Sequence, residues 1–173
     1  ALKTFESLGA IVVPITIEQI ENAISTYYIL ACAEASSNLA RYDSVRYGYR
    51  AKDFEDVDSM ITRTRTEGFG AEVQRRIMLG NYVLSSGYYD AYYKKAQLLQ
   101  NDVLTNFKNA FSEVDAVFCP TVANTAFKIG SVSKNPVEMY LTDLYTVPVN
   151  IAGMPAVNVP AGFSSEGMPI GLQ

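Results

Sequence analysis

Apolar positions along the chain fall into two kinds of run. In the first, Ile20, Ala23, Ile24, Tyr27, Tyr28 and Ala31 recur at spacings of three and four, the period of a helix with one buried face. Thr16 and Gln19 stand ahead of them at capping-box spacing, so the pattern predicts a helix over about 17–40. A short helix is predicted from Val57 to near Gly68, where glycine marks a stop. Ala71, Val73, Ile77, Leu79 and Val83 predict another over about 70–84. Residues 88–114 run for 27 positions without Gly or Pro and give the strongest helical signal.

The second kind is short, continuous and bounded by proline. "AIVVP" at 10–14, "DAVFCP" at 115–120, "PAVNVP" at 155–160 and "MPIGLQ" at 168–173 read as strands, the first two as buried ones. Residues 41–56 and 121–136 read as loops, and a short helix is predicted across about 140–152, kinked or started near Pro148. Strands alternating with helices point to an α/β layered architecture. The chain shows no internal repeat and no low-complexity segment.

Composition narrows the chemistry. The 173 residues suit one domain, and 49% hydrophobic with 18% charged residues describes a globular chain rather than a disordered one. A net charge of −4 argues against a general nucleic-acid or anionic-membrane surface. No apolar run is long enough to predict a transmembrane helix. Cys32 and Cys119 are distant in sequence and form no C-x-x-C pair, which fits a reducing compartment. Histidine is absent, which excludes Ser-His-Asp or Cys-His catalysis and imidazole metal ligation by these residues. No Gly-rich phosphate loop occurs. The opening "ALKTFESLGA" looks like the end of a helix stopped by Gly9, which suggests a piece of a longer protein.

Several residues carry two readings each. Arg75 and Arg76 are adjacent, so only one faces inward on a helix. Arg76 can pair with Glu72 at i, i+4 as an ordinary ion pair, or one of the two arginines can grip a ligand carboxylate with its planar fork. Asp143 is the single charge in the run 139–162. It is an exposed acid, a helix N-cap, or the partner of a ligand cation. Tyr88, Tyr89, Tyr92 and Tyr93 suit either packing or base stacking, as do the Arg and Tyr residues of 41–50.

Five segments in order resemble the amidase-signature family in its tRNA-amidotransferase branch: "YYILACAEASSNLARYDSVRYGYR", "EGFGAEVQRRIMLGNYVLSSGYYDAYYKKAQ", "DAVFCPT", "DLYTVPVNIAGMPAVNVPAG" and "GMPIGLQ". The resemblance covers nearly the whole chain. It implies an α/β/α fold, a mixed sheet layered with helices, of which residues 1–173 form a single partial domain from the C-terminal portion. In that family the nucleophile is a serine activated through a second serine and a lysine. The segments that carry them have no counterpart here, so the chain is expected to hold no catalytic residue and to be inactive alone.

The resemblance also implies the parent's role. It would hydrolyse glutamine and pass ammonia to the B and C subunits of a cytoplasmic complex that converts Glu-tRNA(Gln) to Gln-tRNA(Gln). ATP and Mg2+ belong to the partners' chemistry, and no cofactor or metal is implied in this chain. By motif match, Arg76 holds the α-carboxylate of glutamine, Asp143 its α-amino group, and Tyr27, next to Tyr28, is a further pocket member. Charged hydrogen bonds of this kind contribute about 1.5–3 kcal/mol each. Two other readings remain: a piece of a stand-alone amidase-signature hydrolase, or a non-catalytic binding or scaffold module.

Overall fold

The computed structural model describes residues 1–131 and 142–173, which divide into two compact units. One comprises Ser25–Leu98; the other comprises Ala1–Ile24 and Leu99–Gln173. The predicted loop at 132–136 and the predicted helical residues 140 and 141 lie outside the described residues.

The unit Ser25–Leu98 is helical. Its first helix, α2 (Ala23–Leu39), is preceded by a 3-10 turn at Ile20–Asn22 rather than by the predicted capping box. Gln19, at the N-cap of that turn, takes a left-handed conformation with φ 61° and makes no side-chain capping bond. The helix therefore starts later than residue 17, because the Thr16 to Gln19 spacing is not realised as helical geometry. Helix α3 (Val57–Gly68) has the capping box instead. Asp56 accepts from the Ser59 N–H at 2.7 Å, and the Ser59 hydroxyl accepts from the Asp56 N–H at 2.9 Å. The Arg65 Nη1 donates to the Leu39 carbonyl at 2.9 Å, placing a cation where α2 leaves its last carbonyls open. The Thr64 hydroxyl accepts from the Ala51 N–H at 3.0 Å and pins the preceding loop.

Helix α4 (Ala71–Leu84) agrees with the sequence pattern and buries Ile77, Gly80 and Val83. The long helical signal at 88–114 resolves into a π-helical turn, Tyr89–Lys94, continued by α5 (Lys95–Ala110). The absence of Gly and Pro predicts helix but not the hydrogen-bond register, and residues 111–114 are not helical.

The other unit holds α1 (Leu2–Ser7), the rest of α5, α6 (Thr146–Ala152) and a hairpin of β1 (Val159–Phe163) with β2 (Pro169–Leu172). Val103, Phe107, Val147, Pro148, Ile151 and Ala152 are buried here. Gln100 Nε2 donates to the Ile151 carbonyl at 2.9 Å. Pro148 sits in the first turn of α6, where its missing N–H costs no helical bond. Gly153 ends α6 in the left-handed region, φ 65°, as glycine does at this position.

The hairpin is antiparallel, with Val159 opposite Leu172 and Phe163 opposite Pro169 and a register shift between Pro160 and Gly162. Cys119 exchanges both backbone hydrogen bonds with Gln173, at 3.0 and 2.9 Å, and Pro120 bridges to Leu172. Of the predicted buried strand at 115–120, only Cys119 and Pro120 thus pair with the end of the hairpin, and Thr121 continues the pairing by donating its N–H to the Gly171 carbonyl at 3.2 Å. The predicted buried strand at 10–14 is not formed: among the described residues it pairs with no strand, and Ile11 is 90% exposed. A continuous apolar run states what a segment prefers, but a strand also needs a neighbour to take its hydrogen bonds. Among the described residues no helix is long and apolar enough to cross a membrane.

Candidate functional site

The site is built from two stripes of residues at i, i+4 and i+8. On α2 the stripe is Tyr28, Cys32 and Ser36; on α4 it is Glu72, Arg76 and Gly80. The two helices touch at Gly80. A Cβ there would stand 2.0 Å from the Cys32 carbonyl oxygen and 2.7 Å from the Ser36 Cβ, so only glycine admits this approach. One turn back from Gly80 is Arg76, and one turn back from Cys32 is Tyr28. The close crossing accordingly brings the Arg76 guanidinium over the Tyr28 ring, 5.6 Å from its centroid.

Helical geometry also separates the two arginines. The side chain of Arg75 is 73% exposed and that of Arg76 35%. Glu72 serves both: its Oε1 accepts from Arg76 Nε at 3.0 Å, and its Oε2 takes Arg75 Nη1. The ion pair read from the i, i+4 spacing is therefore present. The hydrogen bond from Arg76 is the main reason the Glu72 carboxyl lies below the usual carboxylate range. In return Glu72 holds the Arg76 pKa above its ordinary value; partial burial opposes this, and side-chain hydrogen bonding with Tyr27 adds to it. Burial pushes the Cys32 thiol up, with nearby Arg76 acting the other way.

Tyr27 and Tyr28, which the sequence leaves unresolved, both stand near Arg76: Tyr28 offers its ring, and Tyr27 is close enough to help raise the Arg76 pKa. Their rings meet edge to face at 5.2 Å. Sequence reasoning missed Gly80, and it left open which of Tyr27 and Tyr28 faces Arg76, where the structure sets the Tyr28 ring. The signal was available as Cys32 and Ser36 at i, i+4, opposite a glycine one turn after an arginine.

Asp143 belongs to the other compact unit. It is half-buried in the turn before α6, where its carbonyl accepts from the Val147 N–H at 3.0 Å and from the Thr146 hydroxyl at 3.4 Å. The predicted cap through its carboxylate is not formed: Tyr145 occupies the N-cap position, with no side-chain capping bond. The tyrosines of 88–93 pack largely on one another. Tyr82 and Tyr88 lie 4.2 Å apart, and hydrogen bonding to Tyr88 pushes the Tyr82 hydroxyl up to about 12. In the loop 41–50, Tyr42 packs on Tyr47 and Phe69, and Tyr49 donates to Glu67 Oε2 at 2.6 Å. Among the described residues no three acidic or thiol side chains gather as a metal would require.

Residues 1–173 match the profile of the family described as Amidase, and the chain belongs to that family. It is 57% identical over all its 173 residues to the A subunit of the glutamyl-tRNA(Gln) amidotransferase of Halothermothrix orenii, of which it spans 36%. The crystal structure of the corresponding A subunit from Thermotoga maritima superposes with a TM-score of 0.67 at 39% identity, over 99% of this chain and 32% of that one. A crystal structure described as an amidase superposes with a TM-score of 0.70 at 21% identity, over 99% and 35%, and shows the shared fold. The mixture of helix and sheet is that of part of an amidase-signature α/β fold, and the chain spans about a third of the length of these relatives.

Proposed function

We propose that residues 1–173 are the amino-acid-recognition part of a glutaminase subunit in a tRNA-dependent amidotransferase. The parent hydrolyses glutamine through an acyl-enzyme on a serine, with a second serine and a lysine supplied from outside these residues. The ammonia passes to the B and C subunits, which use ATP and Mg2+ to convert Glu-tRNA(Gln) to Gln-tRNA(Gln) in the cytoplasm. The whole of 1–173 acts as one partial domain in that parent.

The observation that carries this reading is the half-buried Arg76, held by Glu72 and flanked by two tyrosines, in a chain 57% identical to a protein named as the A subunit of a glutamyl-tRNA(Gln) amidotransferase. A planar guanidinium restrained in this way suits the α-carboxylate of an amino acid. Asp143 is assigned the α-ammonium. Each charge then discriminates against substrates that leave it unpaired.

Ammonia release from L-glutamine by the full-length protein with its partner subunits tests the reading. Arg76→Ala and Asp143→Ala should each raise KM by about tenfold or more, the loss of one charged hydrogen-bonded contact. Wild-type values in both variants would remove the recognition role and favour a hydrolase of another amide.

A further inference from the structure

The Arg76 fork has two ways to hold a carboxylate with paired hydrogen bonds. Side-on binding uses Nε and one terminal nitrogen; end-on binding uses Nη1 and Nη2. In this structure Nε already donates to Glu72 Oε1 at 3.0 Å. The other oxygen of that carboxylate is tied to Arg75, so Glu72 is held from two sides. The Tyr28 ring lies against the guanidinium, its centroid 5.6 Å from the guanidinium carbon. Among the described residues no carboxylate takes the terminal nitrogens of Arg76.

We propose that Glu72 is a positioning residue that commits Arg76 to end-on recognition of the ligand's α-carboxylate. This rests on the reading of Arg76 given above and adds the orientation of its partner. By occupying Nε, Glu72 removes the side-on mode and leaves one pair of parallel donors, on Nη1 and Nη2. That pair needs two acceptor oxygens in one plane. An α-amide offers one oxygen and one NH2 group, so it leaves one donor facing another. Glu72 is itself an anion beside an anion site, which weakens ligand binding. Arg75 offsets this by sharing its charge, so the group Arg75–Glu72–Arg76 keeps a net positive charge.

Positioning and plain charge therefore predict opposite results. If Glu72 only competes for Arg76, removing it tightens binding of glutamine. If it positions Arg76, removing it loosens binding, and does so for the substrate with an α-carboxylate. The test is hydrolysis of L-glutamine and of L-glutaminamide by the full-length protein with its partner subunits. Wild type is compared with Glu72→Ala, Glu72→Gln and Arg76→Ala. Glu72→Ala should raise KM for L-glutamine about tenfold, with the loss in KM rather than kcat. KM for L-glutaminamide should rise less, so the preference for L-glutamine narrows. Glu72→Gln keeps an oxygen for the Nε–H and should recover part of the loss.

Parallel rises for the two substrates, or an unchanged or lower KM for L-glutamine in both Glu72 variants, overturn the proposal. If Glu72→Ala is poorly folded, the near-isosteric Glu72→Gln still separates the two: a raised KM for L-glutamine supports positioning, and an unchanged or lowered one overturns it. Arg76→Ala separates the two levels. If it leaves KM for L-glutamine unchanged, the carboxylate reading fails as well. If it raises KM and neither Glu72 variant does, only the positioning role is lost.

Discussion

The helix pair α2–α4 and the extended apolar segments at Ile11–Val13 and in β1 use hydrophobic residues in opposite ways. Around the helix pair, Leu30, Cys32, Ala33, Ile77 and Val83 are buried. In the extended segments Ile11, Val13, Val159 and Phe163 are exposed. A helix satisfies its own backbone within the segment and needs only one face covered. An extended segment needs a neighbour for its hydrogen bonds as well as cover for its side chains. The site reading of Arg76 rests on the first kind of region, where side-chain positions follow from the helical repeat.

The largest effect should come from breaking the helix contact. Gly80→Ala puts a Cβ against the Cys32 carbonyl, backbone that cannot rotate away. The cost should be about 1–3 kcal/mol, typical of overpacking, and is read as a fall in the thermal midpoint. Because the same contact sets Tyr28 against Arg76, the variant should also raise KM for glutamine. A full-strength site in Gly80→Ala would show that the crossing does not position Arg76.

A smaller effect is expected at the start of α3. Hydrogen bonds with Ser59, the side chain first and the backbone N–H second, hold the Asp56 carboxyl below its ordinary range. A depressed folded-state pKa means that the stabilisation is present above the unfolded carboxylate pKa and lost as pH falls through the lowered value. Acid titration of stability should show this step in the wild type. It should vanish in Asp56→Asn, which keeps the cap without the charge. An unchanged acid limb in Asp56→Asn would remove Asp56 as its cause.

The smallest effect on stability should follow substitution in the extended region. Ile11→Lys should change stability by at most about 0.5 kcal/mol, as is usual for an exposed site. It should nevertheless reduce self-association of the 173-residue chain, measured by sedimentation, because exposed apolar surface drives such contacts. A stability loss of core size would mean that Ile11 is covered.

Helices were legible because their signals are local. Ala71–Leu84 follows its apolar spacing closely, and the ion pair between Glu72 and Arg76 follows from i, i+4 geometry. The same locality misled at Thr16 and Gln19, where capping-box spacing occurs without a helix to cap. It also left the π-helical turn at Tyr89–Lys94 invisible, since composition does not encode hydrogen-bond register. The strands fared worse at 10–14 and 115–120, where proline-bounded apolar runs found no full ladder. The hairpin at 159–172 was nearer to the pattern because both of its strands and its turn lie within a few residues.

By itself the sequence determined which helices form, that Arg75 and Arg76 point different ways, and that imidazole chemistry is excluded. These follow from residue type and from the helical period of about 3.6 residues. Only the tertiary structure decided that Gly80 lets α2 and α4 touch, that Tyr28 lies under Arg76, and that Glu72 takes the Nε side of its fork. Those depend on which residues distant in sequence become neighbours. Here that neighbour relation turns on a missing Cβ, whose consequence appears only when a second backbone occupies the space.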